Sequence, residues 1–479
     1  MQTREVDVAI IGAGTAGLGA YREVQKETDR VVLVEGGPHG TTCARVGCMP
    51  SKLLIAAADA AHEAREADQF GIRTEVAIDS AAVMERVRRE RDRFVGGVLK
   101  SIDRIPEKHK LSGYARFEDS NTLIVGDHTR LHAERVVIAT GSSPNVPGFL
   151  KAAEDRLIVN DDLFEWQSLP DSVAVFGPGV IGLELGQALA RLGVRVRMFG
   201  VGGGVGPIQD PEIRKIALET FNEEFPLDPD AQVESVTRVD EGVEIRFLDE
   251  QGQQLTERFD YVLAATGRRP NLDGLDLENA GLDLDERGMP AYDNLTMQCG
   301  NSPVFIAGDV NNERPLLHEA SDEGRIAGRN AAHFPGVERG LRRTPLAVVF
   351  TSPQIATAGL TIQQVDERCQ SCFEVGLLNF DNQGRSRVMG VNRGLIRVYG
   401  EQGTGRFLGA EMLGPAAEHI GHLLAWCAQK EMTVSEMLEM PYYHPVIEEG
   451  LRTALRDLNA KLHIGQQIID HCMECGPGA

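Results

Sequence analysis

Val6-Asp7-Val8-Ala9-Ile10-Ile11-Gly12-Ala13-Gly14-Thr15-Ala16-Gly17 decides the fold. Val6 to Ile11 is mostly apolar and reads as a short buried strand, and Gly12 to Gly17 has G-x-G-x-x-G spacing. A helical pattern follows from Leu18 to Glu27, and then a second strand, Val31-Val32-Leu33-Val34, which ends at Glu35. Together they form a βαβ unit with an acid about 20 residues beyond the glycines. Gly12, Gly14 and Gly17 let the backbone approach a pyrophosphate at the helix N-terminus, and the Glu35 carboxylate accepts a ribose hydroxyl. The unit predicts a bound dinucleotide.

The pattern recurs. Ser172 to Phe176 reads as a strand, Gly177-Pro178-Gly179-Val180-Ile181-Gly182 opens a helix running through Leu192, and Val194 to Phe199 is the next strand. Either glycine run alone also fits a plain turn. Two of them in one chain imply two dinucleotides and electron transfer between them. Three buried strands punctuate the rest: Arg135 to Gly141, Tyr261 to Gly267, and Val304-Phe305-Ile306-Ala307-Gly308-Asp309. We expect an α/β protein with two Rossmann-like dinucleotide-binding domains, one inserted in the other. The first would span 1–146 and 267–339 and the second 147–266, with an α+β domain over 340–479.

Composition narrows the function. The chain has 479 residues, and 49 basic against 71 acidic residues give a net charge of −22. Such a surface repels nucleic acid and anionic membranes, so neither is expected as a partner. No run of about 18 apolar residues occurs, which argues against a membrane span. Met1 to Glu5 leads straight into a strand with no room for a signal peptide, and a cytoplasmic protein is expected. Eight cysteines are too few for a secreted disulfide scaffold. In a reducing compartment a close pair is catalytic or metal-binding more often than structural.

Cys43-Ala44-Arg45-Val46-Gly47-Cys48 is such a pair, followed by Met49-Pro50-Ser51-Lys52. The four intervening residues do not match the Cys-x-x-Cys spacing of metal hooks, and no metal site is expected. Beside a dinucleotide fingerprint the pair suggests a disulfide that opens and closes in turnover. Taken alone it also fits an inert bridge or two unrelated thiols.

Thr41 to Lys52 resembles the redox-active segment of the flavoprotein disulfide reductases, the class I pyridine nucleotide-disulfide oxidoreductases. That family includes dihydrolipoyl dehydrogenase, glutathione reductase and mercuric reductase. The resemblance runs along almost the whole chain with its motifs in family order. It implies FAD at Gly12, Gly14, Gly17, Glu35 and Asp309, and NAD(P)H at Gly177, Gly179 and Gly182. Thr42, Ala115 (in Gly113-Tyr114-Ala115), Thr140, Gly141 and Gly267 fall at further cofactor-binding positions. Cys48 is implied to face the flavin and Cys43 to exchange with substrate. His444, in His444-Pro445-Val446-Ile447-Glu448-Glu449, is implied to move the proton and Glu449 to orient it. Lys52 and Glu184 match an ion pair near the flavin's reactive nitrogen, although singly each reads as a solvated helix residue. The base in this family comes from the partner subunit, so a homodimer is expected.

Within that family the resemblance implies an enzyme of the dihydrolipoyl dehydrogenase type. Its lipoyl-bearing partner, from a 2-oxoacid dehydrogenase complex, is then expected as a separate protein. The alternative is a mercuric-type or other disulfide reductase that relays electrons through Cys472 and Cys475 in the tail. A soluble transhydrogenase does not need the Cys43–Cys48 pair, and a flavin-bearing structural subunit does not need His444 and Glu449. Some positions depart from the family. Arg45 stands where many relatives carry Asn, and Tyr442-Tyr443 precede His444, where they would narrow a substrate channel. Gly200 and Val201 occupy the place where an acid would mark NAD and a cation NADP. Arg195 and Arg197 lie on the strand itself, and the lack of a cation in the loop favours NAD. Cys369 and Cys372 follow a helical stretch from Thr361 and, like Cys299 and Cys427, read as packing residues.

Overall fold

A computed structural model describes residues 1–249 and 251–464. The chain forms two compact units, one comprising Met1–Pro50, Val87–Asn145 and Gly267–Arg342, the other Ser51–Arg86, Val146–Thr266 and the residues from Arg343 onward.

Apolar runs with no polar alternation build the centre of the first unit. Strand Gln2–Ile11 pairs in parallel with Val31–Glu35 on one side and Thr129–Ile138 on the other. Lys110–Ser112 extends the sheet beyond Val31–Glu35. The far edge of Thr129–Ile138 is shared: Thr122–Val125 pairs antiparallel with its first half and Val304–Ile306 in parallel with its second. The strand segments 8–11, 31–34, 136–138 and 304–306 are buried on both faces, as a parallel sheet requires. Val8, Ile10, Leu33, Val137 and Phe305 face the helices Thr15–Val24 and Leu317–His333 through Ala16, Ala20, Ala327 and Ala331. Ala9, Ile11, Val34, Val136 and Ile306 face Phe117, Leu123 and Leu275.

The first strand begins earlier than its apolar run predicts, because Gln2 to Glu5 pair with Thr129 to His132. Those pairings are made by backbone groups and leave no hydrophobic trace in the sequence. The following helix spans Thr15–Val24 rather than Leu18 to Glu27. It starts directly on the glycine turn and ends at Val24, the last residue that it buries.

In the second unit a parallel sheet runs in the order Leu227–Asp228, Arg195–Phe199, Ser172–Phe176, Tyr261–Ala264, Leu157–Ile158. Helix Val180–Arg191 follows its central strand. A three-stranded antiparallel sheet, Gln232–Val239, Gly242–Leu248 and Gln254–Phe259, shares a core with it through Phe176, Phe199, Phe247 and Phe259. The C-terminal part is a five-stranded antiparallel sheet built on Gln354–Gly359, Phe407–Gly414 and Leu395–Glu401. Helices Ala417–Gln429 and Glu449–Lys461 bury Ile420, Leu424, Leu451, Leu455 and Leu458 against it. The α/β class, the two dinucleotide-type βαβ units and the C-terminal α+β region agree with the sequence reading. Among the described residues, no helix is long and apolar enough to cross a membrane.

Candidate active site

The two glycine turns have the same steric anatomy. Gly12 has φ 107° and Gly177 φ 105°, in the region that favours glycine. A Cβ on Gly12 would overlap the Ala139 carbonyl oxygen, and one on Gly177 the Ala265 carbonyl oxygen. Gly17 and Gly182 are each pressed against the carbonyl of the turn's first glycine. Around Gly14 and Gly179, by contrast, a Cβ would meet nothing within 4 Å. Each of these glycines is the N-cap of its helix, and among the described residues neither helix start has a side-chain cap. Open space in front of uncapped N–H groups fits a pyrophosphate, so the residues present suit a dinucleotide at both turns. In the first unit Glu35 accepts from Ala13 N–H at 2.7 Å and Gly37 N–H at 2.8 Å, which fixes its carboxylate beside the turn.

Asp309 closes the same face of the first unit. Ala307 and Gly308 lead from strand Val304–Ile306 to Asp309, and Ser142 Oγ donates to Asp309 Oδ2 at 3.2 Å. Arg268 Nε in turn donates to Ser142 Oγ at 2.8 Å. From behind, Gly308 N–H and Asn311 Nδ2 both donate to Glu323 Oε2, at 2.7 and 2.8 Å. Arg342 lies 2.9 Å from Glu323 Oε1 and 3.1 Å from Glu319 Oε2. Burial pushes the Glu323 carboxyl up, and the adjacent Arg342 guanidinium opposes the shift. Thr140 Oγ1 donates to Asn271 O at 2.7 Å, and Asn271 N–H donates to Gly141 O at 2.9 Å. Gly267 accepts from Asn145 N–H at 2.9 Å, beside the antiparallel pair Ser142–Pro144 and Arg268–Pro270. Ala115 is buried at the start of strand Ala115–Asp119.

The cysteine segment is a tight two-step helix. Thr41 has φ 61°, its Oγ1 accepts from Ala44 N–H at 3.3 Å, and its carbonyl accepts from Arg45 N–H at 3.1 Å. The turn Thr42–Val46 stops at Gly47, where a Cβ would come within 3.1 Å of the Thr42 carbonyl oxygen. A new helix, Cys48–Arg65, begins at once. Cys43 is half-buried, while Thr42 and Cys48 are exposed. The Arg45 stem lies against Gly40.

Lys52 and Glu184 meet. Lys52 Nζ donates to Glu184 Oε2 at 2.7 Å and Oε1 at 2.9 Å, with Glu184 buried on the second glycine-turn helix. Glu184 Oε1 also accepts Phe350 N–H at 3.0 Å, and the Lys52 ammonium sits 4.6 Å from the centre of the Phe350 ring. An ammonium held by a buried carboxylate and an aromatic face keeps its charge in a fixed place.

His444 and Glu449 meet as well. His444 Nδ1 lies 3.0 Å from Oε2 and 3.1 Å from Oε1 of Glu449, and the hydrogen bond holds Glu449 below the usual carboxylate range. With Nδ1–H given to the carboxylate, the neutral ring presents Nε2 as a proton acceptor. The imidazole is 81% exposed on its own chain, so its surroundings are not completed by the residues beside it. The two neighbouring tyrosines part company: Tyr443 is exposed, whereas Tyr442 packs into the C-terminal core beneath Arg452. Burial pushes the Tyr442 hydroxyl up to about 12.

Arg195 and Arg197 are both engaged by one carboxylate. Both pair with Glu257, at 3.0 and 2.9 Å, and lie over the rings of Phe259 and Phe247. Cys299, Cys369 and Cys372 are buried, while Cys427 is half-buried. Cys472 and Cys475 lie outside the described residues. Sequence reading missed the Glu323–Arg342 support, although Glu319 and Glu323, four apart on one helix, are the signal that could have shown it. It missed the Phe350 N–H entirely, since a backbone donor leaves no mark in the residue types.

Residues 6–324 match the pyridine nucleotide-disulphide oxidoreductase family, and residues 346–455 match that family's dimerisation domain, which supports a homodimer. The chain is similar to a dihydrolipoyl dehydrogenase of Haloferax volcanii, 31% identical over 474 residues, covering 96% of this chain and 97% of that one. It is also similar to a mercuric reductase of Streptomyces lividans, 33% identical over 460 residues, covering 94% and 95%. In fold it resembles the HOCl-induced flavoprotein disulfide reductase RclA of Escherichia coli, with TM-score 0.79, 23% identity and coverage of 95% and 100%. Glycine turns, cysteine segment and C-terminal region thus share one source: the chain belongs to the pyridine nucleotide-disulphide oxidoreductases, flavoprotein enzymes that use FAD and NAD(P)H.

Proposed function

We propose that this flavoprotein oxidoreductase is of the dihydrolipoyl dehydrogenase type, oxidising a protein-bound dihydrolipoyl group with NAD as acceptor. The observation that carries the reading is the His444–Glu449 dyad, 3.0 Å apart, in a chain that also keeps the Cys43–Cys48 pair. The likeness to a dihydrolipoyl dehydrogenase along nearly the full length supports it. In this reading 1–146 and 267–339 hold FAD, 147–266 holds the nicotinamide nucleotide, and 340–479 forms the dimer interface. The proposed setting is the cytoplasm, where a separate lipoyl-bearing protein would present its dithiol.

FAD, when bound, supplies a two-electron store between the cysteine pair and the nicotinamide nucleotide. The remaining work falls to this chain's residues. A substrate thiolate attacks the Cys43 sulfur, the Cys43–Cys48 bond breaks, and Cys48 leaves as a thiolate. His444 of a second copy takes the proton from the other substrate thiol at Nε2, while Glu449 stabilises the imidazolium. That thiolate then attacks the substrate sulfur of the mixed disulfide. It closes the substrate ring and releases Cys43, so two electrons enter the cysteine pair. Lys52, four residues beyond Cys48 on the same helix, is held by the Glu184 carboxylate at 2.7 Å.

The test is NAD⁺ reduction by dihydrolipoamide, with glutathione as a competing electron donor and Hg(II)-dependent NAD(P)H oxidation as the opposing assay. We expect dihydrolipoamide to be the fastest, and NADH to expose two additional alkylatable thiols, at Cys43 and Cys48. Cys48→Ser should abolish turnover, and His444→Gln should lower kcat by roughly 10²- to 10⁴-fold. Rapid Hg(II)-dependent NAD(P)H oxidation without dihydrolipoamide turnover would instead favour the mercuric-type reading, which the Streptomyces relative supports.

A further inference from the structure

The second glycine turn carries no acid where the first carries Glu35, and the structure shows why. Gly12 N–H donates to Val34 O, and Gly177 N–H donates to Phe199 O, each at 2.8 Å. This register makes Gly200 the counterpart of Glu35 and Gly202 the counterpart of Gly37. A Cβ on Gly200 would stand 2.5 Å from the Pro229 carbonyl oxygen and 2.8 Å from Pro178 Cγ, so no side chain fits. The same Pro178 replaces Ala13, whose N–H donates to Glu35 in the first unit. Proline has no N–H to give. Donor and acceptor of that hydrogen bond are missing together.

The remaining half of the arrangement is kept by another residue. In the first unit Gly37 N–H donates to Glu35 Oε1 at 2.8 Å. Its counterpart, Gly202 N–H, donates to Asp230 Oδ1 at 2.7 Å. Asp230 is exposed and comes from the loop after the neighbouring strand, Leu227–Asp228. Backbone hydrogen bonds tie that loop to the glycine segment. Gly200 N–H donates to Asp228 O at 2.7 Å, Ala231 N–H to Gly200 O at 3.0 Å, and Gly203 N–H to Pro229 O at 3.0 Å. Asp230 N–H donates to Asp228 Oδ1 at 3.0 Å, which orients the residue. The nearby cations on the strand, Arg195 and Arg197, are both taken up by Glu257.

We infer that Asp230 is the ribose-recognising acid of the nicotinamide-nucleotide site and makes it select the nucleotide with a free 2′-hydroxyl over its 2′-phosphorylated counterpart. The inference rests on the second glycine turn being that nucleotide's site. A carboxylate accepts a hydrogen bond from a hydroxyl and repels a phosphate, so one residue produces both halves of the preference.

Calorimetric titration of the full-length flavoprotein with ADP-ribose and with 2′-phospho-ADP-ribose tests the assignment without turnover. We expect ADP-ribose to bind at least about tenfold more tightly. Asp230→Asn keeps an oxygen for Gly202 N–H and removes the charge. It should weaken ADP-ribose about tenfold and strengthen the 2′-phosphorylated probe, a change in ratio that a purely structural role would not produce. Asp230→Arg should invert the preference, with flavin content and Tm reporting that both variants fold. Tighter binding of the 2′-phosphorylated probe by the unaltered protein, or Asp230→Asn leaving both affinities within about twofold, would overturn the role of Asp230. Binding of neither probe would overturn the nucleotide-site reading, and the assignment with it.

Discussion

The βαβ units that turn at Gly12 and Gly177 agree wherever backbone meets backbone and differ wherever a side chain would meet a sugar. In both, the first glycine is pressed against the carbonyl of the residue just past an adjacent strand and the third against the carbonyl of the first. In one, Glu35 braces the turn through two N–H groups, while in the other Gly200, Pro178 and Asp230 divide that task. The lesson is one of tolerance. Steric closure of the turn admits no alternative residue, whereas a carboxylate can be delivered from a neighbouring loop at the cost of a proline and a few hydrogen bonds.

The comparison can be broken most sharply at the shared glycines. Gly12→Val should yield protein without flavin, while Gly177→Val should keep stoichiometric flavin and lose ADP-ribose binding. Absorbance per chain and calorimetry read the two outcomes, and a Gly177→Val protein that lost flavin but bound ADP-ribose would reverse the assignment of the turns. Next in size is Glu35→Ala, which strips the acceptor from Ala13 and Gly37 N–H. Flavin affinity should fall by roughly 10- to 100-fold, measured by release on dilution. Gly200→Ala sharpens the contrast, because its new methyl would crowd Pro229 and Pro178. Denaturant unfolding should show a loss of about 1–3 kcal/mol, and a neutral result would mean that an acid at 200 was never blocked. The smallest effect concerns Cys299 in the first unit, whose thiol burial pushes up to about 12. At pH 8 the thiolate fraction is then of order 10⁻⁴, so iodoacetamide labelling of Cys299 should wait on opening of that unit. Labelling at the rate of an exposed thiol in native protein would contradict its burial.

Much of this was legible in the sequence because the relevant signals are local. A glycine turn between two apolar runs announces itself within 20 or so residues. The cysteine segment and the His444–Glu449 dyad are likewise short, and Lys52 with Glu184 became a pair once the motifs stood in family order. The unread parts share a physical cause. Asp230 braces Gly202 across 28 residues and Phe350 N–H reaches Glu184 across 166, with no periodicity to link them. Arg342 joins Glu319 and Glu323 in a cluster whose charges, read singly, resemble solvated surface residues. The early start of strand Gln2–Ile11 escaped notice for a related reason, since backbone pairing needs no apolar side chain.

The Glu184 carboxylate bears on how the chain is made. It is buried, and its partners Lys52 and Phe350 lie far before and far after it in the sequence. A ribosome delivers Lys52 and Glu184 well ahead of Phe350, at about 5–20 residues per second. For that interval the carboxylate lacks one of its native donors, and desolvating it early is unfavourable. The hydrogen bonding of the buried Glu184 carboxylate is therefore completed only after Phe350 has been synthesised.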